Sequence, residues 1–120
     1  MKVMMLILET PEDFDQRGTN TPAAQAYWQK WAAYSQAVND KTVGGNILDG
    51  DHTAVTLRVR NGDRMVQDGP FAASKESLGG YFVFEVDSMD EALALAASCP
   101  AAESGAVELR PIASMPTNPS

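Results

Sequence analysis

The chain has 120 residues, 44% of them apolar and 21% charged, which suits one domain built around one core and leaves little room for a second. Nine Lys and Arg against sixteen Asp and Glu give a formal charge of -7; the resulting field repels phosphate backbones and anionic lipid surfaces, so neither nucleic acid nor membrane is expected as a partner. One cysteine, Cys99, can close no internal disulfide and build no thiolate metal cluster, which fits a reducing, cytoplasmic setting.

Val3 to Leu8 is a short apolar run flanked by charges and predicts a strand buried on both faces. It is too short for the apolar region of an export signal and is followed by Glu9, Glu12, Asp13 and Asp15. No run in the chain approaches the roughly 18 apolar residues of a membrane span. Residues 9 to 21 are expected to form a loop. Thr21-Pro22 then predicts an N-cap with proline in the first helical turn. Ala24, Tyr27, Trp31, Tyr34 and Val38 follow at steps of three and four, drawing an apolar stripe down a helix that ends near Asn39.

Gly44-Gly45 is expected to break the pattern before a short apolar piece, Ile47-Leu48, and an acidic turn at Asp49-Gly50-Asp51. From Ala54 to Arg60 the residues alternate. Asn61-Gly62 is a strong hairpin signal because both positions tolerate positive φ, and Arg64 to Gln67 returns as the partner strand. Asp68 to Gly80 reads as a loop carrying Asp68-Gly69-Pro70-Phe71, and Tyr81 to Val86 as another strand. Ser88-Met89-Asp90-Glu91 is a capping box that opens a second helix, which must stop near Cys99 because Pro100 disfavours a helical residue before it. Ala106 to Ile112 predicts the last strand, and residues 113 to 120 a flexible tail after a domain of residues 1 to 112.

This order predicts an α+β, ferredoxin-like fold: a split βαβ sheet with both helices on one face and an inserted β-hairpin. Two helices cover only one side of the sheet, whereas Val3 to Leu8 and Tyr81 to Phe84 present apolar side chains in both directions. The cheapest cover for the second side is an identical sheet, so a homodimer forming an α/β barrel is expected.

The residues that carry a resemblance are Met1 to Ile7, Asp68-Gly69-Pro70-Phe71 with Lys75 to Tyr81, Glu85 to Leu93, and Val107 to Ile112. Together they resemble the DGPF-motif branch of the YCII-related family, over nearly the whole chain from Met1 to about Ile112. The resemblance implies a dimeric ferredoxin-like fold. It also implies an association with extracytoplasmic-function sigma factors, beside which such proteins are often encoded. Founding members of the wider family look like enzymes with a histidine on the first helix and an aspartate in a cleft. Here that helix reads Tyr27-Trp28-Gln29-Lys30-Trp31-Ala32-Ala33-Tyr34 and has no histidine. A histidine-dependent mechanism therefore does not carry over, while an aspartate-dependent one, through Asp68, remains open.

Each candidate site residue also has a structural role available to it. Asp68 and Phe71 are either a carboxylate and an apolar wall of a ligand pocket or parts of a turn, with Pro70 fixing φ. His52, between Asp51 and Thr53, is either a ligand or proton-transfer group or part of a solvated acidic turn, since one imidazole lacks any recognised metal-ligand spacing. Trp28 lies off the apolar stripe and is a candidate cleft residue, whereas Tyr27, Trp31 and Tyr34 follow the stripe into the core. Arg58 and Arg60 share one hairpin face and either bind an anionic ligand, pair with Asp68, or face solvent. Lys75-Glu76 reads as a surface ion pair and Cys99 as buried packing. No phosphate loop, paired Cys or paired His suggests a cofactor or metal. Two functions follow: a homodimer binding a small ligand between the helix-bearing face and the DGPF loop, or a non-catalytic accessory protein that binds a sigma factor or related regulator.

Overall fold

The computed structural model describes residues 1–72 and 74–116. Alternation in β1 (Lys2–Glu9) sends Val3, Met5 and Ile7 to one face, where each is almost fully buried; Met4, Leu6 and Leu8 on the other face are partly open. The strand is thus buried on one face within the single chain, not on both. The segment expected as a loop holds a short helix, α1 (Pro11–Asp15): Thr10 accepts from the Asp13 N–H at 3.2 Å, and proline stands at its start. α2 (Pro22–Ala37) begins as its sequence predicts, with the Ala24 N–H bonded to Thr21 Oγ1 at 3.1 Å.

β2 (Thr42–Ile47) runs through Gly44-Gly45, the pair expected to interrupt the chain. It does so because it is an edge strand lying directly against β5 (Ser77–Glu85), which itself starts before the predicted Tyr81 and takes in Gly79 and Gly80. A Cβ on Gly80 would sit 2.7 Å from the Asn46 carbonyl oxygen, so the two strands close only around a residue without a side chain. Between β2 and β5 the chain leaves the sheet as a hairpin of β3 (Val55–Arg60) and β4 (Asp63–Asp68). Asn61 at φ 51° and Gly62 at φ 81° make the predicted tight turn.

α3 (Met89–Ala97) opens on the capping box: Ser88 Oγ accepts from the Glu91 N–H at 3.1 Å, and Glu91 reaches back one residue further than the usual box, to the Asp87 N–H at 2.9 Å. The helix stops before Pro100, but the proline starts another short helix, α4 (Pro100–Ser104), before β6 (Ala106–Pro111). The flexible tail expected from residue 113 lies outside the described residues from 117 onward.

The four-stranded sheet has the order β2-β5-β1-β6 with every neighbour antiparallel, the ferredoxin-like arrangement. One core forms on one side of it: Val3, Met5, Ile7 and Phe84 from the sheet, Tyr34 and Val38 from α2 and its end, Ala92 and Ala96 from α3, and Cys99 and Ala101 at α4. The Tyr34 hydroxyl donates to the Leu95 carbonyl at 2.9 Å and ties α2 to α3. On the other side, Met4 pairs with Val83 and Leu6 with Tyr81, and no helix among the described residues packs over them. No helix among the described residues is long and apolar enough to cross a membrane.

The close β2–β5 contact is testable. Gly80→Ala is expected to push the edge strand outward and cost about 1–3 kcal/mol, the usual range for overpacking, read as a lower urea midpoint with an unchanged slope. A midpoint equal to wild type would show that β2 yields freely at this point.

Candidate functional site

The parity of β1 that fills the core has a further consequence at its end: Glu9 shares the face of Val3, Met5 and Ile7 and is only 2% exposed. A buried carboxylate is costly unless paired and hydrogen-bonded, and two side chains from beyond the strand supply this. Arg17, in the segment after α1, brings Nη2 to Glu9 Oε1, and Tyr27 on α2 donates its hydroxyl to Glu9 Oε2. Arg17 also donates to the carbonyl oxygens of Leu48 at 2.5 Å and Gly79 at 2.8 Å, and its guanidinium lies 4.4 Å from the centre of the Phe14 ring on α1. Gly79 makes room for this: a Cβ there would be 2.6 Å from Arg17 Nη2.

This cluster forms the polar floor of a cavity of about 410 Å³ between α2, β2 and β5. Ile7, Ile47, Trp28, Trp31 and Phe82 supply apolar walls, and Asn46 and Ser35 add polar groups toward the edge strand. The aromatic rings hold one another edge to face: Tyr27 and Trp28 are 5.1 Å apart at 79°, and Trp31 meets Tyr34 at 6.2 Å and 87°. Among the described residues, Glu9 and Arg17 are the charged side chains in the lining, and they offset each other. Burial, reinforced by the bond to Glu9, pushes the Tyr27 phenol up to about 12, so at neutral pH it is a neutral hydrogen-bond donor. Such a chamber suits a small, largely uncharged ring with oxygens on its rim. Arg17 Nε and Trp31 Nε1, on two of the lining residues, are buried and have no acceptor among the described residues.

Of the residues singled out by sequence, Trp28 lines this cavity, and Tyr27 and Trp31, expected in the core, line it as well. Arg58, Arg60, Asp68, Phe71 and His52 do not. Arg58 lies over the Phe71 ring at 5.0 Å, on the hairpin. Asp68 stands opposite Val55, on the hairpin face away from Arg58 and Arg60, so the considered pairing between them does not form. The Asp68 corner is held by its backbone instead, the Gly69 N–H donating to Ala54 at 2.7 Å and Thr56 Oγ1 to the Gly69 carbonyl at 2.9 Å. His52 is exposed in a single turn of 3-10 helix, Asp51–Thr53. Cys99 is buried as expected, and burial pushes its thiol up to about 11, away from nucleophilic use. No cluster of three or more metal-ligating side chains occurs among the described residues. Glu9 and Arg17 were not among the residues singled out. Parity alone marks Glu9, the fourth term of Val3, Met5, Ile7, Glu9, whereas Arg17 carries no local signal.

Comparison with known proteins adds three findings. The family model described as the YCII-related domain matches residues 1–116. An uncharacterized protein of Rhizobium meliloti (strain 1021) is 44% identical over 62 residues, which is half of this chain and half of that protein. The structure of TftG, the 5-chloro-2-hydroxyhydroquinone dehydrochlorinase of Burkholderia phenoliruptrix AC1100, in complex with 2,5-dihydroxybenzoquinone, superimposes with a TM-score of 0.54 at 16% identity and 94% coverage of both chains. At that identity the likeness concerns the fold.

The floor of the cavity makes its own predictions. Glu9→Ala leaves the Arg17 guanidinium without its charge partner and is expected to cost about 3–5 kcal/mol; Tyr27→Phe leaves Glu9 Oε2 unpaired and should cost about 1–3 kcal/mol, both measured by urea unfolding. With the phenol of Tyr27 near 12 in the folded state against an ordinary 10, the protonated phenol is favoured by folding. That contribution is full below pH 10 and is lost as pH rises through 12. A 295 nm titration of wild type minus Tyr27→Phe should therefore stay flat through pH 10, and a step at or below 10 would contradict the buried hydrogen bond.

Proposed function

The chain belongs to the YCII-related family, and from that premise we propose that it works as a homodimer binding a small oxygenated ring in the cavity above Glu9, Arg17 and Tyr27. The observation that carries the reading is the buried Glu9 carboxylate, clamped from two sides at the floor of an aromatic-walled chamber. Its volume of about 410 Å³ falls within the usual range for small-molecule sites. The structural neighbour TftG, which holds 2,5-dihydroxybenzoquinone, supports a planar, hydroxylated six-membered ring as the ligand class. Neither Arg17 Nε nor Trp31 Nε1 is open to solvent, so a ligand oxygen meets them only if the side chain turns. A bond formed in that way would offset the cost of an unpaired buried donor.

Binding, with catalysis left out, is the extent of the reading. The groups in reach of a proton transfer are the Tyr27 hydroxyl and the Glu9 carboxylate, and α2 has no histidine to act as base. Asp68, Phe71, Arg58, Arg60 and His52 enter a ligand site in this reading only from a neighbouring copy. The homodimer is supported by the open side of the sheet, where Met4, Leu6, Tyr81 and Val83 share one face with no layer above them. A regulatory protein such as a sigma factor would compete for that same face.

Isothermal titration with hydroquinone and with resorcinol, both uncharged at neutral pH, tests the ligand class. Saturable binding is expected, weakened at least tenfold by Trp28→Ala and by Tyr27→Phe, with the ligand raising the melting temperature of wild type. No heat and no thermal shift with either ring at millimolar concentration would sink the proposal.

A further inference from the structure

The β3–β4 hairpin pairs with neither edge of the four-stranded sheet. Its register places Val55, Leu57, Val59 and Val66 on one face, and these are 63%, 52%, 52% and 59% exposed. A two-stranded ribbon is marginal in water even without bare aliphatic chains, so this arm calls for a cover that the protomer does not provide. The dimensions agree. The radius of gyration is 16.9 Å, against about 14 Å for a compact domain of this length. The accessible surface is 8315 Å², against roughly 6,300 Å² for a compact monomer of this mass. Even with residues 112–116 taking a share of that difference, the remainder is on the scale of the ~800 Å² or more that each partner buries in a stable complex.

Charge selects the occupant. The arm carries Arg58, Arg60 and Arg64 against Asp63 and Asp68, whereas the rest of the chain holds only six basic residues against fourteen acidic ones. A mildly basic arm on a strongly acidic body matches a second body of the same kind. We infer that the β3–β4 arm docks on a second copy of this chain, laying Val55, Leu57, Val59 and Val66, with Arg64 on the same face, against the partner's open sheet face, while Arg58 and Arg60 on the opposite face keep the arm basic toward that acidic body. Two-fold symmetry makes the exchange reciprocal, each copy gripping the other. The inference deepens the homodimer reading and rests on it.

Sedimentation velocity from nanomolar to micromolar concentration, on wild type and on Leu57→Asp with Val66→Asp, tests it. A dimeric wild type and a double variant whose dissociation constant rises a hundredfold or more, with an unchanged circular dichroism spectrum, is the expected result. If wild type and the double variant are equally dimeric, the arm is not the grip, although the homodimer stands; a monomeric wild type overturns both. Should the double variant lose its native spectrum, the charge reversal Arg64→Glu, on the docking face beside the four aliphatic chains, decides. Weakening of tenfold or more at low salt that shrinks at high salt supports the arm, and unaltered dimerisation rejects it.

Discussion

The fold around the cavity depends on how one carboxylate is kept out of water. Glu9 ends the strand that builds the core, and its burial is tolerable only because Arg17 and Tyr27 meet both of its oxygens. That requirement joins elements with few other reasons to meet. Arg17 fixes the segment after α1 against β1, reaches the carbonyl of Leu48 just past β2 and that of Gly79 on β5, while Tyr27 anchors the first half of α2. The segment after β1 and α2 are thus held at the end of the sheet by a charge and its partners, and the cavity is the space left between that polar floor and the aromatic face of α2.

The same geometry explains why the cavity is apolar in its walls yet not charged overall. Arg17 directs its two Nη groups to Glu9 and to two backbone carbonyls, so its positive charge is offset inside the protein. What faces the cavity is dominated by Trp28, Trp31 and Phe82, with the high-pKa phenol of Tyr27 as a neutral donor beside them. An anionic ligand would find no unpaired cation in the lining, whereas a flat ring would find faces and edges to pack against.

Two apolar surfaces, the partly open side of the sheet and the exposed face of the β3–β4 arm, belong to one problem of cover. The sheet is a single layer of strands with a single layer of helices, and the hairpin adds a projecting ribbon with no layer at all. In a flat protomer of 51 × 38 × 19 Å, the core is formed on one side only. The apolar area left over is what a second copy would cover in the proposed homodimer.

Much of this was legible in the sequence. Local chemistry determined β1, the Thr21-Pro22 start of α2, the Asn61-Gly62 turn and the Ser88 cap, because each rests on neighbouring residues, and the element order with its shortage of helices determined the ferredoxin-like arrangement. Tertiary structure decided the rest. Gly44-Gly45 and Gly79-Gly80 look like breaks by propensity, yet they are strand: the close approach of β2 and β5 leaves no space for a side chain at Gly45 and Gly80, and Glu9 with Arg17 leaves none at Gly79. Asp68 and Arg58, both on the hairpin, lie on opposite faces of its pleat, while Glu9, Arg17 and Tyr27, scattered along the chain, converge. A strand's parity can be read from spacing, but which distant cation answers its buried acid is fixed only when the chain has folded.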